Sequence, residues 1–381
     1  MYIQRYLDLE QSIQPGKVLI LLGPRRSGKT TLLKNFISHT ARKTVTYRGD
    51  ELSVQISFSA PDSKVLQPLV GHANVLVIDE AQMIPNVGRS LKLIVDTMPH
   101  LSVVATGSSA FELTGQLGEP LTGRKETRQL LPIALHEQLG NAVTPELDVS
   151  SKIQDYLRFG MYPSVLTTKS LAQKEKFLAE LVDSYLLKDI LTFQEIKGSR
   201  TILQLLVLLA YQIGNEVSLS ELGSSLQIDR KTVERYLDLL EKSFVIFRLG
   251  GYSRNLRSEV TKKAKYYFYD IGIRNAIIHN HNALNLRNDV GQMWENFAVV
   301  ERLKRRLYWG PSANQYFWRT WQGAEVDLVE ERGGKLYGYE CKWSTTKKHS
   351  PPPAWLATYP DTAEWSLVTP ETVTSFAFPE P

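Results

Sequence analysis

Residues 23–30 read GPRRSGKT: a glycine, four residues, a second glycine, then lysine and threonine. That spacing is what a nucleoside triphosphate requires. Gly23 and Gly28 let backbone amides approach phosphate oxygens, Lys29 contacts the β and γ phosphates, and Thr30 offers its hydroxyl to Mg²⁺. Pro24, Arg25, Arg26, Ser27 and Thr31 complete the expected binding loop. A hard cation needs a further oxygen ligand, and residues 74–80, NVLVIDE, supply one about 50 residues after the loop. Asp79 suits the metal shell and Glu80 suits polarisation of the attacking water. ATP and Mg²⁺ are the expected cofactors.

Two further groups fit around a γ phosphate. The run LSVVATGSS at 101–109 ends in small polar residues, where open parallel sheets present catalytic groups; Ser108 is the candidate sensor, with Thr106 the other candidate. Downstream, GEPLTGRKETRQL carries Arg124, Lys125 and Arg128. Arg124 is the candidate for an arginine that reaches the γ phosphate of a neighbouring subunit, where its rigid charge completes the site on assembly.

A second constellation lies near the other end. Asp327 precedes Glu340 by 13 positions, a strand–hairpin–strand distance, and Lys342 follows two residues later. Two converging acids can hold Mg²⁺, and a neighbouring lysine can orient or deprotonate a metal-activated water for attack on a phosphodiester. Asp327, Glu340 and Lys342 are therefore a candidate hydrolytic set, with Glu295 as an outer carboxylate. His279 and His281 lack partner ligands at matched spacing and are not read as a metal site.

The elements that must position these groups follow from periodicity. KVLILL feeds the glycine loop as a strand and TTLLKNFISHT leaves it as a helix. Residues 132–200 are mostly helical in pattern, broken at FGMYPSV by Gly160 and Pro163. Ser218 is a plausible N-cap, Gln227 and Ile228 a tight turn, and Val233, Tyr236, Leu237 and Leu240 recur at helical spacing. That leaves Arg230, Lys231 and Arg235 outward at the start of a second helix, as in helices that enter a major groove. The next segment reads as a two-stranded wing, with Arg254, Arg257, Lys262, Lys263 and Lys265 as charges for phosphates. A helix follows from 291, with Trp294, Phe297, Ala298 and Leu303 inward, then two β-type runs, QYFWRTWQGAEVDLVEE and KLYGYECKW.

Composition bounds the class. With 381 residues, 43% hydrophobic and 22% charged, the chain supports two or three packed domains and argues against long disorder. Its single cysteine, Cys341, excludes an internal disulfide and a multi-cysteine zinc site. The longest apolar runs fall well short of the roughly 20 residues needed to span a bilayer, and the opening residues lack the apolar run of a secretory signal. A cytoplasmic protein without a membrane partner is expected. The net charge of +5 permits a polyanion partner.

Taken in order, GPRRSGKT, VLVIDEAQ at 75–82, TGSS at 106–109, LTGR at 121–124, GMYPSV, GAEVD and ECK make the sequence one that resembles prokaryotic AAA-type ATPases. These join an N-terminal P-loop domain to a C-terminal PD-(D/E)XK nuclease-like domain of unassigned function. The resemblance covers nearly the full length. It implies an α/β fold class: a P-loop AAA-type parallel-sheet domain over 1–135, a helical lid or connector over 136–200, a winged-helix domain over 201–275 and a restriction-endonuclease-like α/β domain over 285–375. It also implies homo-oligomerisation, in a ring such as a hexamer, and a DNA-related role. Lys29, Thr30, Asp79 and Glu80 match the nucleotide motifs; Glu295, Asp327, Glu340 and Lys342 match the nuclease-like ones. The expected function is a DNA-dependent ATPase, an oligomeric motor or remodeller acting on duplex or branched DNA. The alternatives are an ATP-gated, Mg²⁺-dependent endonuclease of a defence system and a nucleotide switch that docks a protein partner.

Overall fold

The apolar run before the glycine loop is strand β1 (Val18–Leu22), buried at every position. The computed structural model describes residues 2–108, 121–186, 199–253, 264–344, 349–360 and 362–379. After the loop, Gly28 at φ 103° caps helix α1 (Lys29–His39) in a conformation that glycine adopts without a Cβ penalty. Strands β2 (Thr44–Arg48), β3 (Val75–Asp79), β4 (Ser102–Gly107) and β5 (Lys125–Gln129) complete a sheet in the order β2-β3-β4-β1-β5, with every pairing parallel. Parallel sheets are covered on both faces, which is why β1, β3 and β4 read as unbroken buried runs while β5, KETRQ, is a polar edge. Leu19, Leu21, Val75, Val77 and Val104 pack with Leu32, Leu33 and Phe36 of α1. Because all five strands run the same way, the carboxyl ends of β1, β3 and β4 open along one edge. This unit spans Arg5–Pro132 together with Lys242–Phe244.

The second unit comprises Met1–Gln4, Ile133–Glu241 and Val245–Pro381. Helix α2 (Pro145–Phe159) opens with acids in its first turn. Then come α3 (Ser199–Tyr211), the short strand β6 (Glu216–Val217), α4 (Leu219–Leu226) and α5 (Arg230–Lys242). The expected tight turn is present: Ser218 caps α4 by accepting from the Glu221 amide at 3.4 Å, and Gln227 closes it in the left-handed region at φ 55°. Val233, Tyr236, Leu237 and Leu240 are all buried. Strands β7 (Ile246–Gly251) and β8 (Ala264–Phe268) pair antiparallel, and β8 also pairs β6. Helix α6 (Val290–Trp309) precedes β9 (Asn314–Arg319), β10 (Glu325–Arg332), β11 (Lys335–Cys341) and β12 (Thr362–Val368), and a short helix, Val373–Ala377, closes the unit.

The three segments 136–200, 201–275 and 285–375 all fall within one compact unit, which holds more than one apolar cluster. All seven strands from β6 to β12 form a single sheet in the order β12-β11-β10-β9-β7-β8-β6. The seam is a parallel pairing of Gly250 and Gly251 on β7 with Tyr316 and Phe317 on β9. One apolar cluster gathers Val149, Ile153 and Tyr156 of α2 with Phe247, Tyr267, Trp294, Phe297 and Tyr339. The physical reason is that α2 has an apolar stripe, and burying it requires the sheet and α6, so it cannot stand apart as a connector. Among the described residues, no helix is long and apolar enough to cross a membrane.

Candidate nucleotide-binding site

The loop after β1 is held from behind. Arg5, 5% exposed, donates to the Ser27 carbonyl and the Leu131 carbonyl, both at 2.7 Å, fixing the rear of the loop to the chain beyond β5. Gly23 donates its amide to the Gly107 carbonyl at 3.2 Å, and a Cβ there would lie 2.2 Å from the Leu130 carbonyl oxygen, so only glycine fits. The Lys29 ammonium, buried inside the loop, donates to the carbonyls of Gly23 and Pro24 at 2.7 and 2.9 Å. Ser27 is fully buried, Arg25 and Arg26 are half-exposed, and Thr30 and Thr31 face solvent.

Two strand ends and the start of α1 meet at Asp79. Its two carboxylate oxygens accept from the hydroxyls of Thr30 at 2.7 Å and Thr106 at 2.5 Å. Thr106, the second candidate sensor, thus braces the acid, and it also accepts from the Glu80 amide at 3.0 Å. Glu80 sits in the left-handed region at φ 56°, an uncommon conformation for a residue with a side chain, which turns it out of line with β3. Its carboxylate accepts from Gln82 Nε2 at 2.5 Å, and the same amide donates to Ser108 at 3.2 Å. Gln82, 6% exposed, has an Oε1 without a partner among the described residues. Gln82 therefore bridges the candidate base and the candidate sensor. Sequence reasoning passed over it, although it stands in the quoted VLVIDEAQ.

The residues suit Mg²⁺ carried by a nucleotide: Thr30 and Asp79 present a hydroxyl and a carboxylate, both oxygen donors suited to a hard cation. Elsewhere among the described residues, no three His, Cys, Asp or Glu side chains converge on a metal position.

Arg124 lies at the other end of the same sheet. Its carbonyl accepts from the Val18 amide at the start of β1, whereas the loop follows Leu22. A five-residue strand spans roughly 16 Å, more than an arginine side chain can cover. Its guanidinium pairs with Asp96 at 2.7 Å on the surface. Within this chain Arg124 does not reach the glycine loop.

In the second unit, Glu295, Asp327, Glu340 and Lys342 come near one another with a participant the sequence did not suggest. Lys265 on β8 is 1% exposed, and its ammonium lies 2.9 Å from Glu295 Oε1, 2.5 Å from Glu325 Oε1 and 4.0 Å from Asp327 Oδ1. The Tyr267 hydroxyl donates to the same Glu295 oxygen at 2.6 Å. Asp327 Oδ2 accepts from the Cys341 amide at 2.8 Å, and Lys342 pairs with Glu340 at 2.6 Å. Burial, and then the Glu295 charge, push the Asp327 carboxyl up to about 7. Burial and Asp327 likewise raise Glu340. Burial works against the Lys265 charge, but Glu295, Asp327 and Glu325 override it and hold the amine above its ordinary range. Lys265 is thus not a phosphate-facing wing residue, as its place in a basic run suggested; β8 is buried at all five positions.

Of the DNA candidates, Arg230, Lys231 and Arg235 are exposed on α5, with Arg230 paired to Glu234 at 2.9 Å. Arg254, Arg257, Lys262 and Lys263 lie outside the described residues. His281 is engaged structurally: it stacks on Phe159 and its Nδ1 meets the Arg158 carbonyl at 3.0 Å. A second ionic core also went unforeseen. Glu330, fully buried, accepts from both Arg302 and Arg306 at 2.7–2.9 Å, and although burial opposes its charge, those guanidiniums hold its carboxyl down at about 2.

Residues 15–139 match the family described as an AAA domain, 150–285 a domain of unknown function (DUF8612) and 290–370 another (DUF4143). The chain is 28% identical over 345 residues to an uncharacterized protein of Mycobacterium tuberculosis, covering 89% of this chain and 73% of that one. It is 26% identical over 327 residues to an uncharacterized protein of Haemophilus influenzae, covering 80% and 78%. Among solved structures, the Walker-type ATPase PABY2304 of Pyrococcus abyssi aligns with a TM-score of 0.43 and 17% identity, covering 68% of this chain and 91% of that one. The AAA domain match covers most of the first unit.

Proposed function

We propose that this chain hydrolyses ATP with Mg²⁺ and couples the hydrolysis to the handling of duplex or branched DNA as a homo-oligomeric motor or remodeller. The observation that carries the ATPase reading is the meeting of Thr30, Asp79, Thr106 and Glu80 beside a loop closed by Lys29. Bound with the nucleotide, Mg²⁺ neutralises charge on the β and γ phosphates. Thr30 and Asp79 hold it. Lys29 turns its ammonium from loop carbonyls to phosphate oxygens, and the loop amides supply further donors. Glu80 polarises the attacking water, Gln82 sets its carboxylate, and Ser108, on the same amide, reports the γ phosphate. Arg124, out of reach of its own loop, is the arginine given to a neighbouring subunit.

DNA handling is supported by the order helix, short strand, helix, tight turn, helix and two strands over α3 to β8, which is that of a winged helix. It is supported too by the exposed Arg230, Lys231 and Arg235 at the start of α5. The test is steady-state ATPase activity at low salt with single-stranded, duplex, forked and four-way DNA, because phosphate contacts weaken steeply with salt. Stimulation by DNA that is lost in the Arg230, Lys231 and Arg235→Ala triple variant is expected, with all turnover lost in Lys29→Ala. One rate with and without every DNA would sink the DNA reading and leave the protein-docking switch.

A further inference from the structure

The carboxylates of the second unit already have a cation. Glu295 comes from α6, and Glu325 and Asp327 from β10, while the group between them is the ammonium of Lys265 on β8, a strand that is not a sheet neighbour of β10. A divalent ion on Glu295 Oε1 would have to lie about 2.1–2.5 Å from that oxygen, where it competes with Nζ at 2.9 Å and the Tyr267 hydroxyl at 2.6 Å on the same atom. The ammonium has no ready exit: its side chain is 1% exposed, it lies 5.5 Å from the centre of the Phe317 ring, and Tyr267 occupies the same oxygen of Glu295. On the other side of Glu295, Gly214 is so close that a Cβ there would come within 3.1 Å of Oε2. Two further candidate oxygens are engaged, Asp327 Oδ2 by the Cys341 amide and Glu340 Oε1 by Lys342.

We propose that Lys265 is the resident cation of this cluster, standing in place of a divalent metal, so that the cluster ties β8 to α6 and β10 and takes up neither Mg²⁺ nor Mn²⁺. Of the oxygens that a metal-dependent phosphodiesterase would use, Glu295 Oε1, Asp327 Oδ2 and Glu340 Oε1 are taken by protein donors, while Glu340 Oε2 is buried without a partner among the described residues. Its chemistry is structural: one monovalent charge, fixed by a covalent stem, pairs with Glu295 and Glu325 and lies 4.0 Å from Asp327, so that the seven-stranded sheet is locked across its seam. The endonuclease alternative is disfavoured on this geometry, and the proposal stands or falls independently of the ATPase reading.

The test is titration of the nucleotide-free full chain with Mn²⁺, following free Mn²⁺ by electron paramagnetic resonance, for the unaltered protein, Asp327→Asn, Lys265→Met and Lys265→Met/Asp327→Asn. Metal held by the nucleotide loop is common to all four and cancels in the comparison. The expected result is no difference between the unaltered protein and Asp327→Asn, with Lys265→Met gaining a site that binds about tenfold tighter or more, the scale on which changes around metal ligands act, and that the double variant loses. A Mn²⁺ site in the unaltered protein that Asp327→Asn abolishes would overturn the proposal, and so would a folded Lys265→Met that gains no Mn²⁺. Should Lys265→Met fail to fold, the comparison of the unaltered protein with Asp327→Asn decides alone.

Discussion

At the end of β3, Asp79 accepts hydrogen bonds from two hydroxyls, whereas on β10 Asp327 faces the ammonium of Lys265 and accepts a backbone amide. Asp79 closes β3 and Asp327 stands third in β10, each with a second acid nearby. They differ in the charge of their donors. Hydroxyls satisfy the geometry of a carboxylate and leave its charge uncompensated, so Asp79 remains open to a cation arriving with a nucleotide. An ammonium removes the charge itself, and a buried cluster with a cation already inside has little to gain from another. Residue types alone would score the two regions alike; the identity of the donors separates them.

The largest expected effect tests the reactive side of this contrast. Glu80→Gln should lower kcat for ATP by about 10²- to 10⁴-fold, the usual worth of general acid–base assistance, while fluorescent-nucleotide binding is retained. An unchanged rate would remove Glu80 from the chemistry. On the structural side, Lys265→Met leaves three carboxylates facing each other in a buried site, and losing one side of such an arrangement costs about 3–5 kcal/mol. Urea unfolding monitored in the second unit should read that loss, and a change under 1 kcal/mol, on the order of an exposed pair, would show the cluster to be solvent-screened.

The smallest effect is one of pH. The Asp327 carboxyl, pushed up to about 7, keeps its proton in the folded state across a range, from about 4 upward, in which the unfolded chain has lost it. The folded state therefore binds more protons there, and the contribution of Asp327 to stability falls as pH rises through that range and levels off above it. The slope from this one group is at most about 1.4 kcal/mol per pH unit. Unfolding measured from pH 5 to pH 8 should show the decline, and Asp327→Asn should flatten it, leaving a smaller slope from Asp270, which burial raises to about 6. An identical slope in the variant would mean that Asp327 titrates in its ordinary range.

Much of the candidate nucleotide site was legible because its groups lie in short contiguous runs. GPRRSGKT and VLVIDE carry both the strand and the residues it delivers, and a parallel sheet brings strand ends together without further instruction. The capped turn at Ser218 and Gln227 was legible for the same reason: caps and left-handed turns are chosen by neighbours in sequence. Lys265 was misread because nothing local distinguishes it from the basic residues before it. Its partner Glu295 lies 30 residues on, and burial of both faces of β8 follows from its place in the seven-stranded sheet. Arg302 and Arg306 on α6 were likewise invisible as core residues, since their mate Glu330 comes from another element.

By itself, then, the amino-acid sequence determined the glycine loop after β1, the acids at the end of β3 and the helices around the Ser218 cap, all set by short-range spacing and backbone preference. Tertiary structure alone decided that Arg124 sits at the far end of its sheet from the loop, that Gln82 joins Glu80 to Ser108, and that the strands from β6 to β12 join one sheet. It also decided that the second set of carboxylates encloses a lysine. Charge compensation in a buried site depends on which side chains converge there, and convergence depends on strand order and helix packing rather than on the order of residues along the chain.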